Sequence, residues 1–294
     1  MSRMRHVLIA RQPTPTNDAL AAAACGDAAW ETMSPDEALE NLRAGDVALG
    51  RLDVLPTLDG VEDGLWALGA LEARGVRVLN DAPALLGAHD KLLTAWLLRR
   101  GGVPHPKTTH VRPGRPFPAV APPVVVKPRY GSWGRDVRRC DDEAALFTTL
   151  EEAADAAWFE RHGALVQQLV PPQGFDLRVL IADGEVVGAV NRFAARGEWR
   201  TNIALGGFRR PVAELPRQAA DLAVAAAEAV GTSLAGVDLL PRGSGWTVLE
   251  VNGAVEFTRD YDLGCDVFTA TATRLVLAGT EPEEPPSMVP AAAV

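Results

Sequence analysis

Near the C-terminus, Asp238, Glu250 and Asn252 lie on two runs, Ala235-Gly236-Val237-Asp238-Leu239-Leu240 and Trp246-Thr247-Val248-Leu249-Glu250-Val251-Asn252. Pro241-Arg242-Gly243-Ser244-Gly245 joins them and has the composition of a tight turn, so the pair reads as a β-hairpin. Alternation along a strand puts Glu250 and Asn252 on one face and Thr247, Leu249 and Val251 on the other. With Arg242 paired to Trp246 across a three-residue loop, Asp238 falls opposite Glu250. Two carboxylates at one cross-strand position repel unless a cation lies between them, and without it one should have a raised pKa. Hard oxygen ligands of this kind suit Mg²⁺, which takes one or two carboxylates and leaves its other positions to water and phosphates. A solvated hairpin face accounts for the same three residues equally well.

Charge along the chain narrows the choice. Residues 127–139 carry Lys127, Arg129, Arg135, Arg138 and Arg139 against Asp136, and residues 192–210 carry Arg192, Arg196, Arg200, Arg209 and Arg210 against Glu198. Each segment is +4 in a chain of net charge −9, so everything else is −17. Two cationic segments in an acidic protein point to a small polyanion or a carboxylated substrate, and away from a nucleic-acid surface. Within the first segment, Val124-Val125-Val126 delivers Lys127 at a strand end, followed by the loop Gly131-Ser132-Trp133-Gly134. Glycines let backbone N–H groups approach phosphate oxygens, and the lysine adds a point charge. Neither GxxxxGK[ST] nor a GxGxxG after the first strand occurs, which disfavours a Walker loop and a dinucleotide site.

The elements that must hold these residues follow an α/β pattern. The chain has 294 residues, 47% hydrophobic, enough for two or three compact units. Strands are expected at 6–10, 46–49 and 76–79, with helices at 17–29 and 61–74 and a further helix opened by Ser34-Pro35-Asp36-Glu37. This gives a small parallel-sheet domain over 1–85. A helix at 89–100 and a proline-rich connector at 104–123 lead to strands at 123–127, 164–170, 175–182 and 185–192, the last two joined by Asp183-Gly184. A helix at 215–230, the acidic hairpin and a helix near 265–278 follow, and the tail from 281 to 294 is expected to be disordered. Cys25, Cys140 and Cys265 lack metal-ligand or disulfide spacing and fit a reducing cytoplasm. The apolar run after the N-terminus is too short for a signal peptide, and no stretch reaches membrane-spanning length. Histidines at 6, 89, 105, 110 and 162 show no triad-like spacing.

Taken in order, Asp90-Lys91, Lys127-Pro128, Gly131-Ser132-Trp133-Gly134, Val166-Gln167-Gln168-Leu169-Val170, Asp176-Leu177-Arg178, Arg200-Thr201-Asn202, Gly206-Gly207, Gly236-Val237-Asp238 and Glu250-Val251-Asn252 form a longer pattern. It resembles the ATP-grasp superfamily, and within it the RimK-type carboxylate–amine ligases. Asn252-Gly253-Ala254-Val255-Glu256-Phe257 is most similar to the LysX branch. The resemblance implies an α/β (α+β) ATP-grasp fold: the N-terminal domain 1–85, then two α+β subdomains, 86–170 and 171–280, clasping ATP.

It also implies roles. Lys91 and Lys127 would contact ATP from two sides, Ser132, Trp133 and Gly134 would form a lid over the phosphates, and Gln168 and Leu169 would form the adenine hinge through backbone groups. Asp176 would face the ribose, with Arg178 as its ion-pair partner. Arg200 and Asn202, with Lys127, would approach the transferred phosphoryl group, while Asp238, Glu250 and Asn252 would hold Mg²⁺, or Mn²⁺ in its place. The implied reaction is amide formation through an acyl phosphate, joining an amino acid or other carboxylate to an amino acid, a peptide or a small acidic carrier protein. A homo-oligomer, dimer or tetramer, is implied, with no nucleic-acid or membrane partner. The chain departs from the family at Leu205, where an arginine usually precedes Gly-Gly; Arg209 and Arg210 are the nearest replacements. An ATP-binding regulatory or partner-binding homologue without ligase activity is the alternative.

Overall fold

The computed structural model describes residues 3–26, 28–115 and 120–280, folded around three sheets. The first is fully parallel, in the order β2-β1-β3-β4: β1 (His6–Ile9), β2 (Trp30–Met33), β3 (Val47–Gly50) and β4 (Arg77–Leu79). β1 and β3 are buried along their whole length, as continuous apolar strands covered on both faces should be. Helices α1 (Pro15–Ala21), α2 (Pro35–Asn41) and α3 (Leu65–Glu72) make the crossovers, and Ser34 with Glu37 forms the expected capping box. α1 is shorter than the 17–29 expected, because Thr14 caps it with proline at its first position and Cys25 and Ala28 then form a bridge.

The helix expected at 89–100 is α5 (Lys91–Arg100); a further helix, α4 (Ala82–His89), precedes it outside the expected range, and the two are separated at Asp90. The Asp90 backbone is extended and its carboxylate accepts the N–H groups of Leu92 and Leu93, so it ends one helix and caps the next. The second sheet has the order β5-β8-β6-β7, all antiparallel: β5 (Thr108–Val111), β6 (Val124–Pro128), β7 (Arg138–Cys140) and β8 (Ala164–Gln168). Helices α6 (Glu143–Ala153) and α7 (Ala157–His162), absent from the sequence reading, close its separate core with Leu146, Leu150, Trp158 and Phe159.

The third sheet, also antiparallel, runs β11-β10-β9-β12-β13: β9 (Phe175–Ala182), β10 (Glu185–Phe193), β11 (Phe208–Pro211), β12 (Leu234–Arg242) and β13 (Gly245–Asn252). One face packs Leu177, Val179, Val237 and Leu239 against an alanine stripe, Ala219, Ala223 and Ala226, on α8 (Arg217–Val230). The other face changes character along the strands. At one end Leu180, Ala182, Val190 and Leu234 are apolar and covered by α9 (Val267–Thr280), whose Leu275 and Ala278 also touch the first sheet through Leu8, Val47 and Leu49 in one continuous core. At the other end the same face carries Asp176, Arg178, Arg192 and Asp238. No helix among the described residues is long and apolar enough to cross a membrane. The expected disordered tail, 281–294, lies outside the described residues.

Candidate active site

Two single-residue bulges set the charged face. In the acidic hairpin Arg242 pairs with Gly245, so the loop is the two residues Gly243-Ser244 and not the three expected. That register alone would pair Asp238 with Leu249. An extra residue in β13, Leu249, shifts the pairing and places Asp238 opposite Glu250 after all. In consequence Leu249 lines the cleft beside Glu250, instead of pointing away from it with Val251. The β9–β10 hairpin repeats the device: an irregularity at Val187 moves Asp176 from Asn191 to Arg192.

That shift builds a buried ion network. Arg192 donates to both oxygens of Asp176, at 2.8 and 2.5 Å, and to Oδ2 of Asp238 at 2.7 Å. Arg178 makes a two-point pair with the same Asp238, at 2.5 and 2.8 Å. Arg178 is therefore the partner of Asp238 and not, as expected, of Asp176. The Asp176 carboxylate also accepts from the Thr201 hydroxyl at 2.5 Å, so it orders Arg192 and Thr201 while bordering the first cavity. Burial pushes the Asp238 carboxyl up, but Arg178 and Arg192 outweigh it and hold it down at about 2. Burial acts likewise on Glu250, and Lys91 and Lys127 together hold that carboxyl below its ordinary value despite Asp238. The raised pKa expected of an empty carboxylate pair is absent because each acid has its own cation.

Lys91, at the start of α5, bonds Glu250 Oε1 at 2.7 Å and the Gly131 carbonyl. Lys127 is buried on β6, where it donates to Gln167 Oε1 at 2.9 Å; burial lowers its pKa to about 8. Gln167 in turn bonds Thr108 and His105, and His105 Nδ1 lies 2.9 Å from the Val248 carbonyl. Burial, and then Lys127, lower His105 to about 4, so the ring is neutral and accepts from Gln167. Nothing in the sequence marked His105, and Gln167 read as an ordinary strand residue. Arg192 was counted only as charge; its role needs the bulge.

Two adjoining cavities, of about 150 and 250 Å³, meet at these residues. The first is walled by Lys127, Gln168, Leu169, Asp176 and Arg200; the second by Asp53, His89, Arg209, Ala254 and Glu256. Lys91, Ser132, Trp133, Arg178, Asn202, Glu250 and Asn252 border both. The N–H groups of Gln168 and Leu169 already bond the carbonyls of Lys107 and Pro123, so contacts these two make with a base fall to their carbonyls. Trp133 is 56% exposed with φ +66°, and Gly134 has φ +73° where a Cβ would meet Asn202 Oδ1 at 2.7 Å. Arg200 lines the first cavity, but its guanidinium is taken up by Glu198 and the carbonyls of Gly134 and Val137, so it fastens the glycine loop. Leu205 also packs by Gly134.

The donors fit a hard cation. Asn252 Nδ2 donates to the Gly236 carbonyl at 3.1 Å, which turns its amide oxygen outward. Asp238 uses three of about four lone-pair sites on its arginines, and Glu250 uses Oε1 alone on Lys91. Among the described residues no group of three or more His, Cys, Asp or Glu could hold a metal. Two carboxylates and an amide, completed by phosphates and water, suit Mg²⁺.

The profile of the RimK-like ATP-grasp domain matches residues 88–274. A tetrahydromethanopterin:alpha-L-glutamate ligase of Methanosarcina acetivorans is 31% identical over 72% of this chain and 75% of its own length. The alpha-aminoadipate–LysW ligase LysX of Saccharolobus solfataricus is 29% identical over 64% and 69%. Among solved structures, a RimK domain ATP-grasp protein of Sphaerobacter thermophilus aligns with TM-score 0.64 at 22% identity, covering 92% of this chain and 99% of that one. A D-alanine–D-alanine ligase of Bacillus anthracis complexed with ATP aligns with TM-score 0.67 at 17% identity, covering 94% and 97%.

Proposed function

This chain belongs to the RimK-like ATP-grasp family, and from that premise we propose that it is an ATP- and Mg²⁺-dependent ligase joining a carboxylate to an amine. The observation that carries the reading is the junction of the two cavities, where Glu250, Asn252 and Asp238 offer oxygen donors beside Lys91 and Lys127. In our reading the first cavity takes the nucleotide and the second the acid. The acid attacks the terminal phosphoryl group of ATP, giving an acyl phosphate and ADP, and the amine then displaces phosphate to form the amide. When bound, Mg²⁺ would supply charge neutralisation at the phosphates, held by Glu250, Asn252 and Asp238. Lys127 and Lys91 would bind phosphate oxygens from opposite walls. Arg200, locked to the glycine loop, would position Ser132, Trp133 and Gly134 over them and exclude water.

We further propose the division 1–85, 86–170 and 171–280, a cytoplasmic setting, and an amine donated by an amino acid, peptide or carrier protein. The test is mass spectrometry of products from purified protein, Mg-ATP and pooled amino acids or carrier peptides. An acid- and amine-dependent amide with stoichiometric ADP supports the ligase. Leu205, which leaves one usual cation out of the site, favours a second reading, nucleotide binding without ligation. Nucleotide binding with no acid-dependent ADP release would select it.

A further inference from the structure

The cleft face of the third sheet holds three arginines and two aspartates. Arg192 engages both Asp176 and Asp238, and Arg178 engages Asp238. Arg209 is the remainder: it stands directly across from Arg192 in the β10–β11 register, so both side chains project to the same side. Arg192 has Asp176 and Asp238 beside it, whereas Arg209 has no ion-pair partner among the described residues. The Nε of Arg209 is buried without a hydrogen-bond partner. Its neighbour Arg210 differs, since its guanidinium lies over the rings of Phe193 and Phe208 at 5.1 and 5.2 Å.

Arg209 borders the second cavity and not the first, on the far side of the Glu250–Asn252 junction from the nucleotide wall. A planar guanidinium with free donors suits two-point binding of a carboxylate. Building on the ligase reading above, we propose that Arg209 determines specificity for a dicarboxylic acid, holding the carboxylate that is not phosphorylated. The acid would then lie with its reacting carboxylate at the junction and its second one against β11. This cation is displaced from the family position at 205 to the strand after Gly206-Gly207, so it faces the acid without touching the nucleotide wall.

The test compares L-aspartate, L-glutamate and L-2-aminoadipate with L-asparagine and L-glutamine, which keep the shape but lose one charge. Affinities are measured by calorimetry on protein loaded with Mg²⁺ and a non-hydrolysable ATP analogue, for the parent, Arg209→Met and Arg209→Lys. At least one diacid should bind ten times more tightly than its amide, roughly one charge-assisted contact. Arg209→Met should erase that ratio with nucleotide affinity unchanged, and Arg209→Lys should keep part of it. In turnover the loss should fall on the KM for the acid. A parent that does not prefer diacids, a preference that survives Arg209→Met, or a fall in kcat with KM untouched would overturn the proposal; the last would place Arg209 on the transferred phosphoryl group. Binding is read without turnover, so diacid selection without ADP release would sink the ligase reading alone.

Discussion

Replacing Lys127 by methionine should stabilise the empty protein while weakening its hold on nucleotide. The ammonium is buried, and burial lowers its pKa from 10.5 to about 8, with Gln167 as its hydrogen-bond acceptor. Between those values the unfolded chain holds a proton that the folded chain has released. Stability of the parent therefore rises with pH across that window, and below pH 8 the folded state carries the full penalty of a charged, buried lysine. The gap amounts to about 3 kcal/mol. Methionine fills similar space without the charge but strands the Gln167 oxygen, at a cost of about 1 kcal/mol. The net gain at pH 7 is then about 2 kcal/mol, and it should shrink toward pH 10 as the parent recovers. Urea unfolding of both proteins at pH 7 and pH 10, followed by circular dichroism, reads the difference. A variant less stable than the parent at pH 7, or an advantage that does not change with pH, would refute the reasoning. Calorimetry on the same variant should show ATP affinity down at least tenfold, the loss of one charge-assisted contact.

Glu250→Gln removes a charge but keeps the shape, so it should abolish phosphoryl transfer with the fold intact, and excess EDTA should do the same to the parent; full activity in either case would refute a metal-holding role for the hairpin. His105, held to about 4 by burial and Lys127, should cost the protein stability as pH falls from 6.5 toward 4, because only the unfolded chain is readily protonated there. A His105→Gln variant should lose less stability than the parent over that interval in acid titrations monitored by fluorescence. Trp133 fluorescence, in a variant lacking the other six tryptophans, should respond to Mg-ATP as the exposed ring is covered; indifference would count against a lid.

Local signals in the sequence located four of the five strands of the third sheet and missed β11. Asp183-Gly184 and the Pro-Arg-Gly-Ser-Gly turn marked both hairpins, and period-two alternation found their apolar faces. What alternation cannot carry is a bulge. An ideal register would set Asp176 against Asn191 and send Arg192 to the helix face, yet the irregularity at Val187 puts Arg192 at the centre of the ion network. The Asp238–Glu250 pairing was anticipated through a compensating pair of differences, a shorter loop and an extra residue at Leu249. Asp90 was read as part of a helix and of the Asp90-Lys91 element with no partner assigned, although its carboxylate both caps α5 and takes Arg129 in a two-point pair, which requires a contact between distant segments. The same holds for His105, brought to Lys127 only by the pairing of β5 with β8.

The position of α9 bears on the order in which the protein can be made. Leu8, Val47, Leu49 and Leu79 of the first sheet are finally sealed by Phe268, Ala272, Leu275 and Ala278, which leave the ribosome some two hundred residues later. Until then one face of the earliest sheet has only the partial cover that α1 gives it through Leu20. The second sheet, whose core is separate, can close as soon as α7 and β8 have emerged. Folding from the N-terminus would thus finish in the middle before it finishes at the start. A ribosome stalled before residue 267 should hold a nascent chain whose central segment resists protease while residues 1–80 are still cut.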